Sequence, residues 1–90
     1  MEFNRKILAD AIAKYGEQKQ IDVALEELGE LISAIIKFRR DRVERAAVQE
    51  EIADVMIMCE QLRMIFGDYG TDYYCDYKMH RLAENLHKNS

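Results

Sequence analysis

The stretch Ile52-Ala53-Asp54-Val55-Met56-Ile57-Met58-Cys59 is apolar all round a helix except at Asp54. It sits inside a longer run, roughly Arg45 to Phe66, that contains neither Pro nor Gly. A helix apolar on every side is buried on every side. Ninety residues make one domain with a small core, which offers too few neighbours to cover such a helix. The expectation is a single domain over residues 1–90 that packs into an oligomer through this helix and the one before it.

The rest of the chain reads as helix too. It has no Pro and four Gly, and Ala, Leu, Ile, Met, Glu, Lys and Arg dominate it. Those are helix formers, and strand-like alternation is absent. Residues 3–15 form a first amphipathic helix, with Gly16 as its stop. The segment 16–20 is expected to be a polar connection. A second helix is expected over about 20–39, with Ile21, Leu25, Leu28, Leu31, Ile32 and Ile35 as its packing stripe. A third is expected over 45–66, with Val48, Ile52, Val55, Cys59, Leu62 and Phe66 as its stripe. Gly67-Asp68-Tyr69-Gly70-Thr71-Asp72 reads as a turn. A fourth helix then runs from about Asp72 to His87, with Cys75, Met79, Leu82 and Leu86 on its apolar side. Gly29 costs about 1 kcal/mol relative to Ala inside a helix, a cost that a close approach by a neighbour would offset.

Two pairs of acids carry the chemistry. Glu27 and Glu30 are three apart in the second helix, and Glu51 and Asp54 are three apart in the third. Residues three apart share a helix face. The midpoint between the pairs falls at Arg40 and Asp41, inside the polar patch Arg39-Arg40-Asp41-Arg42. A reversal there sets the pairs opposite each other on antiparallel helices, each about 18 Å from the turn. With the apolar stripe of the third helix as reference, Glu51 falls about 40° from its centre and Asp54 about 100° away. Four carboxylates on one spot repel and raise each other's pKa. A cation relieves that, and oxygen-only ligands suit Mg²⁺, Mn²⁺ or Ca²⁺ rather than Zn²⁺.

Composition excludes several classes. A net charge of −4 argues against a nucleic-acid duplex as main partner. No apolar run reaches the length of a membrane span. The N-terminal Met1-Glu2-Phe3-Asn4-Arg5-Lys6 lacks the form of a signal peptide. Cys59 and Cys75 lie within helical patterns, as in a reducing compartment, so the expected location is cytoplasmic. Together with His80 and His87 they lack zinc-site spacing. A di-iron bundle would want Glu-x-x-His, and positions 30 and 54 hold Glu and Asp. Tyr69, Tyr73, Tyr74 and Tyr77 are read as packing residues.

Glu26-Glu27-Leu28-Gly29-Glu30 followed after 20 residues by Glu51-Ile52-Ala53-Asp54 resembles the motif of the MazG-like, all-α nucleoside triphosphate pyrophosphohydrolases. The resemblance spans the two central helices, and the four-helix plan extends it over most of the chain. It implies a four-helix MazG-like bundle and cleavage of a nucleoside triphosphate between its α- and β-phosphates, giving a monophosphate and pyrophosphate. It also implies Mg²⁺ as cofactor, with Mn²⁺ as a substitute, held by Glu27, Glu30, Glu51 and Asp54. Glu26 matches the motif's leading acid, and Glu26 or Glu27 would orient or deprotonate the attacking water. Lys78, Arg81 and Asn85 are the counterparts of the basic and amide residues that family members turn toward the phosphates. Homo-dimers or homo-tetramers are expected on the same ground. The alternative that the residues leave open is a non-catalytic or regulatory helical module that binds a nucleotide or a metal as an oligomer.

Overall fold

The computed structural model describes residues 1–88. Four helices follow one another, α1 over Arg5–Tyr15, α2 over Glu17–Arg39, α3 over Arg45–Phe66 and α4 over Asp68–His87. No strand is present among the described residues. The all-α, four-helix expectation therefore holds.

Single residues make two of the three connections. Gly16 has φ 91°, and its N–H donates to the Ile12 carbonyl at 2.8 Å. Gly67 has φ 122° and closes α3 in the same way on Arg63. Both need the positive φ that only Gly adopts without strain. One such residue reverses the chain, so the expected connection over 16–20 is helix from Glu17 onward. For the same reason the expected turn over 67–72 shrinks to Gly67, and Asp68 opens α4. Glu17 and Asp68 place acids in first turns, where the helix dipole favours them. At the front of α1, Asn4 Oδ1 accepts from the Ile7 N–H at 3.2 Å and caps the helix.

The third connection sets the central hairpin. Arg42 N–H donates to the Lys37 carbonyl at 2.9 Å, and Asp41 N–H donates to Phe38 at 3.0 Å. That is a Schellman ending with Asp41 at the left-handed position, φ 57°. The chain thus reverses at Arg40 and Asp41, where the acidic pairs required it.

α2 and α3 then pack antiparallel along their lengths, and α1 packs against both of them. Gln20, Ala24 and Ala34 of α2 and Met58 and Gln61 of α3 are buried. Gln20 Nε2 donates to Gln61 Oε1 at 2.6 Å, and Gln61 Nε2 donates to the Met58 sulfur at 3.8 Å. The seam therefore runs through Gln20, Ala24, Glu27 and Ala34 on one side and Ala47, Glu51, Asp54, Met58 and Gln61 on the other. These are not the stripes the apolar pattern pointed to. Leu25 is 62% exposed, Ile32 61% and Phe66 73%. Alanines let the helix backbones approach closely, whereas the bulkier Leu and Ile stripes project to the side. A Cβ on Gly29 would meet nothing within 4 Å, so no neighbour in this chain requires a glycine there.

α4 approaches only α3 by backbone. Its start is fastened by an ionic knuckle. Arg5 donates to both Asp68 oxygens at 2.9 Å, and Arg63 reaches Asp72 at 2.8 Å and Asp68 at 3.3 Å. Glu60 sits beside both arginines, at 3.4 Å from Arg5 and 3.3 Å from Arg63. Beyond this knuckle Tyr73, Tyr74 and Tyr77 are exposed, and they meet only neighbours on α4: Tyr73 and Tyr74 lie edge to face at 5.3 Å and Arg81 covers Tyr77, so they add nothing to the buried core.

Replacing Asp41 tests the hairpin turn. Asp tolerates the left-handed region, and a β-branched residue does not. Asp41→Val should lower stability by about 1–2 kcal/mol, read from urea unfolding at fixed protein concentration. Unchanged stability would mean that the turn does not hold the conformation described.

Candidate metal centre

The helix period and the turn at Asp41 together bring three acids into one place. One carboxylate oxygen from each of Glu27, Glu51 and Asp54 lies within 4.8 Å of the others. Glu27 and Glu51 are half-buried and Asp54 is exposed. Glu30 stands beside them and is exposed, close enough for its charge to act on both Glu27 and Glu51. The four expected acids are therefore gathered, three tightly and Glu30 at the margin.

The electrostatics are unfavourable as they stand. Oε2 of Glu27 and Oε2 of Glu51 are buried and have no hydrogen-bond partner. The Glu27 carboxyl is pushed above the usual carboxylate range, first by desolvation and then by the charges of Glu30 and Asp54. Glu51 is pushed up in the same way, again first by desolvation, then by Glu30 and Asp54. Buried polar atoms are nearly always satisfied, and two orphaned carboxylate oxygens side by side call for a partner. A hard cation that takes oxygen ligands fits this donor set, and a soft one does not.

A shallow hollow opens beside the cluster. Glu30, Ser33, Lys37, Ala47, Glu50 and Glu51 line it, with Ala34 and Val43. Ser33 and Lys37 were not singled out from sequence. The signal was there, because Glu30, Ser33 and Lys37 follow one another at steps of three and four along α2. Lys37 lies two residues before the polar patch Arg39-Arg40-Asp41-Arg42, where a solvated lysine is the ordinary case. It brings a cation to the side of the site, which the sequence reading had placed only on the last helix.

The remaining expected residues lie elsewhere. Glu26 is exposed, one position before Glu27 and turned away from the seam. Lys78, Arg81 and Asn85 are exposed on α4. The Arg81 guanidinium lies over the Tyr77 ring, 5.8 Å from its centre. Among the described residues no hydrogen bond or ion pair joins these three to the acids, and α4 makes no backbone approach to α2. One chain by itself does not bring them into the cluster.

Cys59 and Cys75 are free thiols. No described helix is long and apolar enough to cross a membrane. No family model matches the chain, and neither a curated protein nor a solved structure matches it.

The raised carboxyls make a pH-dependent prediction. A carboxyl whose pKa is higher folded than unfolded holds its proton more tightly in the folded state. It favours the fold at low pH, and that contribution is lost as pH rises from the usual carboxylate range through the raised value. In chelator-treated protein, Glu51→Gln should therefore raise the melting temperature at neutral pH. The gain should shrink toward about pH 4, where the wild-type carboxyl is protonated. Thermal melts across that range check it, and a variant that melts lower than wild type at neutral pH would mean Glu51 is not strained.

Proposed function

We propose that the chain is a Mg²⁺-dependent nucleoside triphosphate pyrophosphohydrolase of the MazG-like kind, active in the cytoplasm as a homo-dimer or homo-tetramer. The observation that carries this reading is the meeting of Glu27, Glu51 and Asp54 oxygens within 4.8 Å, with an unpartnered buried carboxylate oxygen on both Glu27 and Glu51. It stands on the same residues whose spacing resembles that family's motif.

In this reading the residues divide the work. Glu27, Glu30, Glu51 and Asp54 hold the ion. When bound, Mg²⁺ supplies the positive field that a triphosphate needs beside carboxylates, and it stabilises charge at the reacting phosphorus. Glu27, half-buried among the other acids, is the group that orients a water and takes its proton, and Glu26, turned away from the seam, has no such role in one chain. The water attacks the α-phosphorus, the bond from that phosphorus to the α–β bridging oxygen breaks, and pyrophosphate leaves with the bond's electrons. Lys37 lies beside the acids and suits the outer phosphates. Lys78, Arg81 and Asn85 contribute only if α4 of another subunit reaches the site.

The bond broken is the sharpest test. Hydrolysis of mixed triphosphates in H₂¹⁸O with Mg²⁺ should put the label in the monophosphate and leave pyrophosphate unlabelled. Asp54→Asn should lower turnover by at least about a hundredfold while the helical circular-dichroism signal stays. Label in pyrophosphate, or release of inorganic phosphate, would overturn the reaction assigned. Nucleotide binding without any turnover would favour the regulatory module instead.

Lys37 gives a second prediction. Lys37→Ala should raise KM by about tenfold with a smaller change in kcat, because it meets the phosphates in ground and transition state alike. Unchanged steady-state kinetics would remove Lys37 from the site.

A further inference from the structure

Cys59 and Cys75 are the only cysteines of the chain, and they stand at equal distances from one turn. Cys59 lies eight residues before Gly67, and Cys75 lies eight residues after it. Each is therefore about 12 Å along its helix from that glycine. Gly67 is the single residue between α3 and α4, at φ 122°.

Both thiols are on faces that look into one groove. On α3, Cys59, Leu62, Arg63 and Phe66 are related by steps of three and four and share a face. On α4, Thr71 and Cys75 are four apart and share a face. These six residues line a groove of about 400 Å³ between the two helices. The thiols are free and exposed, so a small oxidant in solvent reaches them.

Little within the chain holds α4 at its angle. It approaches only α3 by backbone, and none of its described residues is buried. The ionic knuckle of Arg5, Glu60, Arg63, Asp68 and Asp72 fastens its root. Those pairs are open to solvent, which screens them. A disulfide needs its two Cα atoms within about 7 Å. Narrowing the angle at Gly67 brings together residues that lie equally far from it. Glycine restricts such a rotation least.

We propose that Cys59 and Cys75 form a reversible disulfide within one chain, which shuts α4 against α3 under oxidation. The oxidant is a small disulfide of the glutathione class. One cysteine, as thiolate, attacks a sulfur of that disulfide, forms a mixed disulfide and releases one small thiolate. The other cysteine, as thiolate, attacks the protein sulfur of the mixed disulfide and releases the second small thiolate. Two cysteine thiols are oxidised, the small disulfide is reduced to two thiols, and the two cysteine protons end on those thiols. Excess small thiol runs the exchange backward. In a reducing compartment such bridges are transient and serve redox sensing. The bridge closes a short loop about Gly67 and narrows the groove over Leu62 and Phe66. The acids of the seam take no part in it, whatever reaction they serve.

Oxidation of the native protein tests it. The full chain is equilibrated with oxidised glutathione, its remaining thiols are alkylated, and it is weighed after denaturation without reductant. The expected product is a single unalkylated chain, lighter than the reduced one by about 2 Da, whose digest joins the Cys59 and Cys75 peptides. Excess reduced glutathione should restore the starting mass. The bridged protein should melt about 10 °C higher than the reduced protein at the same concentration, whereas Cys75→Ser should melt alike in both buffers. Chains joined to one another, thiols that stay capped by glutathione, or thiols that do not react would each overturn the proposal. A bridged chain that melts no higher than the reduced one would overturn the closure of α4, because the bond would then hold an arrangement the fold does not favour.

Discussion

The structure depends on a helix–helix seam made largely of polar and small residues. Gln20 meets Gln61 at one end, Ala34 faces Ala47 toward the other, and Glu27 meets Glu51 and Asp54 between them. Small side chains let α2 and α3 come close. The buried amide pair fixes their register, because a slip of one residue would strand both amides without a partner. The tight ending at Asp41 fixes the same register from the turn. The acids lie between these two restraints, so neither end can relax to separate them.

A seam of this kind changes what the apolar residues do. In an ordinary amphipathic hairpin the Leu and Ile stripes would face each other and supply the core. Here Leu28, Ile32, Ile35, Val55 and Leu62 lie off the seam, on one flank. The hairpin therefore has an apolar flank and a polar flank. The polar flank carries the hollow beside the carboxylates, and the apolar flank is left uncovered within the chain. The rotation of the two helices that brings the acids into the seam also turns these apolar stripes out of it.

Much of this was legible in the sequence. The span of α3, the reversal at Arg40 and Asp41, and the gathering of Glu27, Glu30, Glu51 and Asp54 all follow from the helix period and from symmetric spacing about a turn. The face of each helix that meets the other was not legible. Apolar periodicity marks a buried face, and it does not say whether the burial is within a chain or between chains. Glu51, about 40° from the apolar centre, read as an acid at the edge of a packing face, whereas the acids are themselves in the packing face. Gly16 and Gly67 were each expected to open a longer connection, because turn-forming residues cluster after them. One residue at positive φ sufficed in each case. Lys37 was missed because it sits next to a charged turn, where a solvated lysine is the ordinary case.

The seam also explains why the fold and the site depend on one another. Carboxylates with raised pKa lower the stability of the cation-free chain at neutral pH. Any cation that binds the folded chain and not the unfolded one returns stability in proportion to the logarithm of its concentration above Kd. Replacing the acids by apolar residues would tighten the seam and remove the chemistry, the usual opposition between stability and function. In this chain the opposition is sharpened, because the acids occupy the helix–helix contact itself and are not borne on a loop. Loss of charge repulsion and gain of packing would act on the same few residues, so a sequence selected for stability alone would not keep Glu27, Glu51 and Asp54 there. Their presence in the seam is a cost to the cation-free fold that packing does not explain.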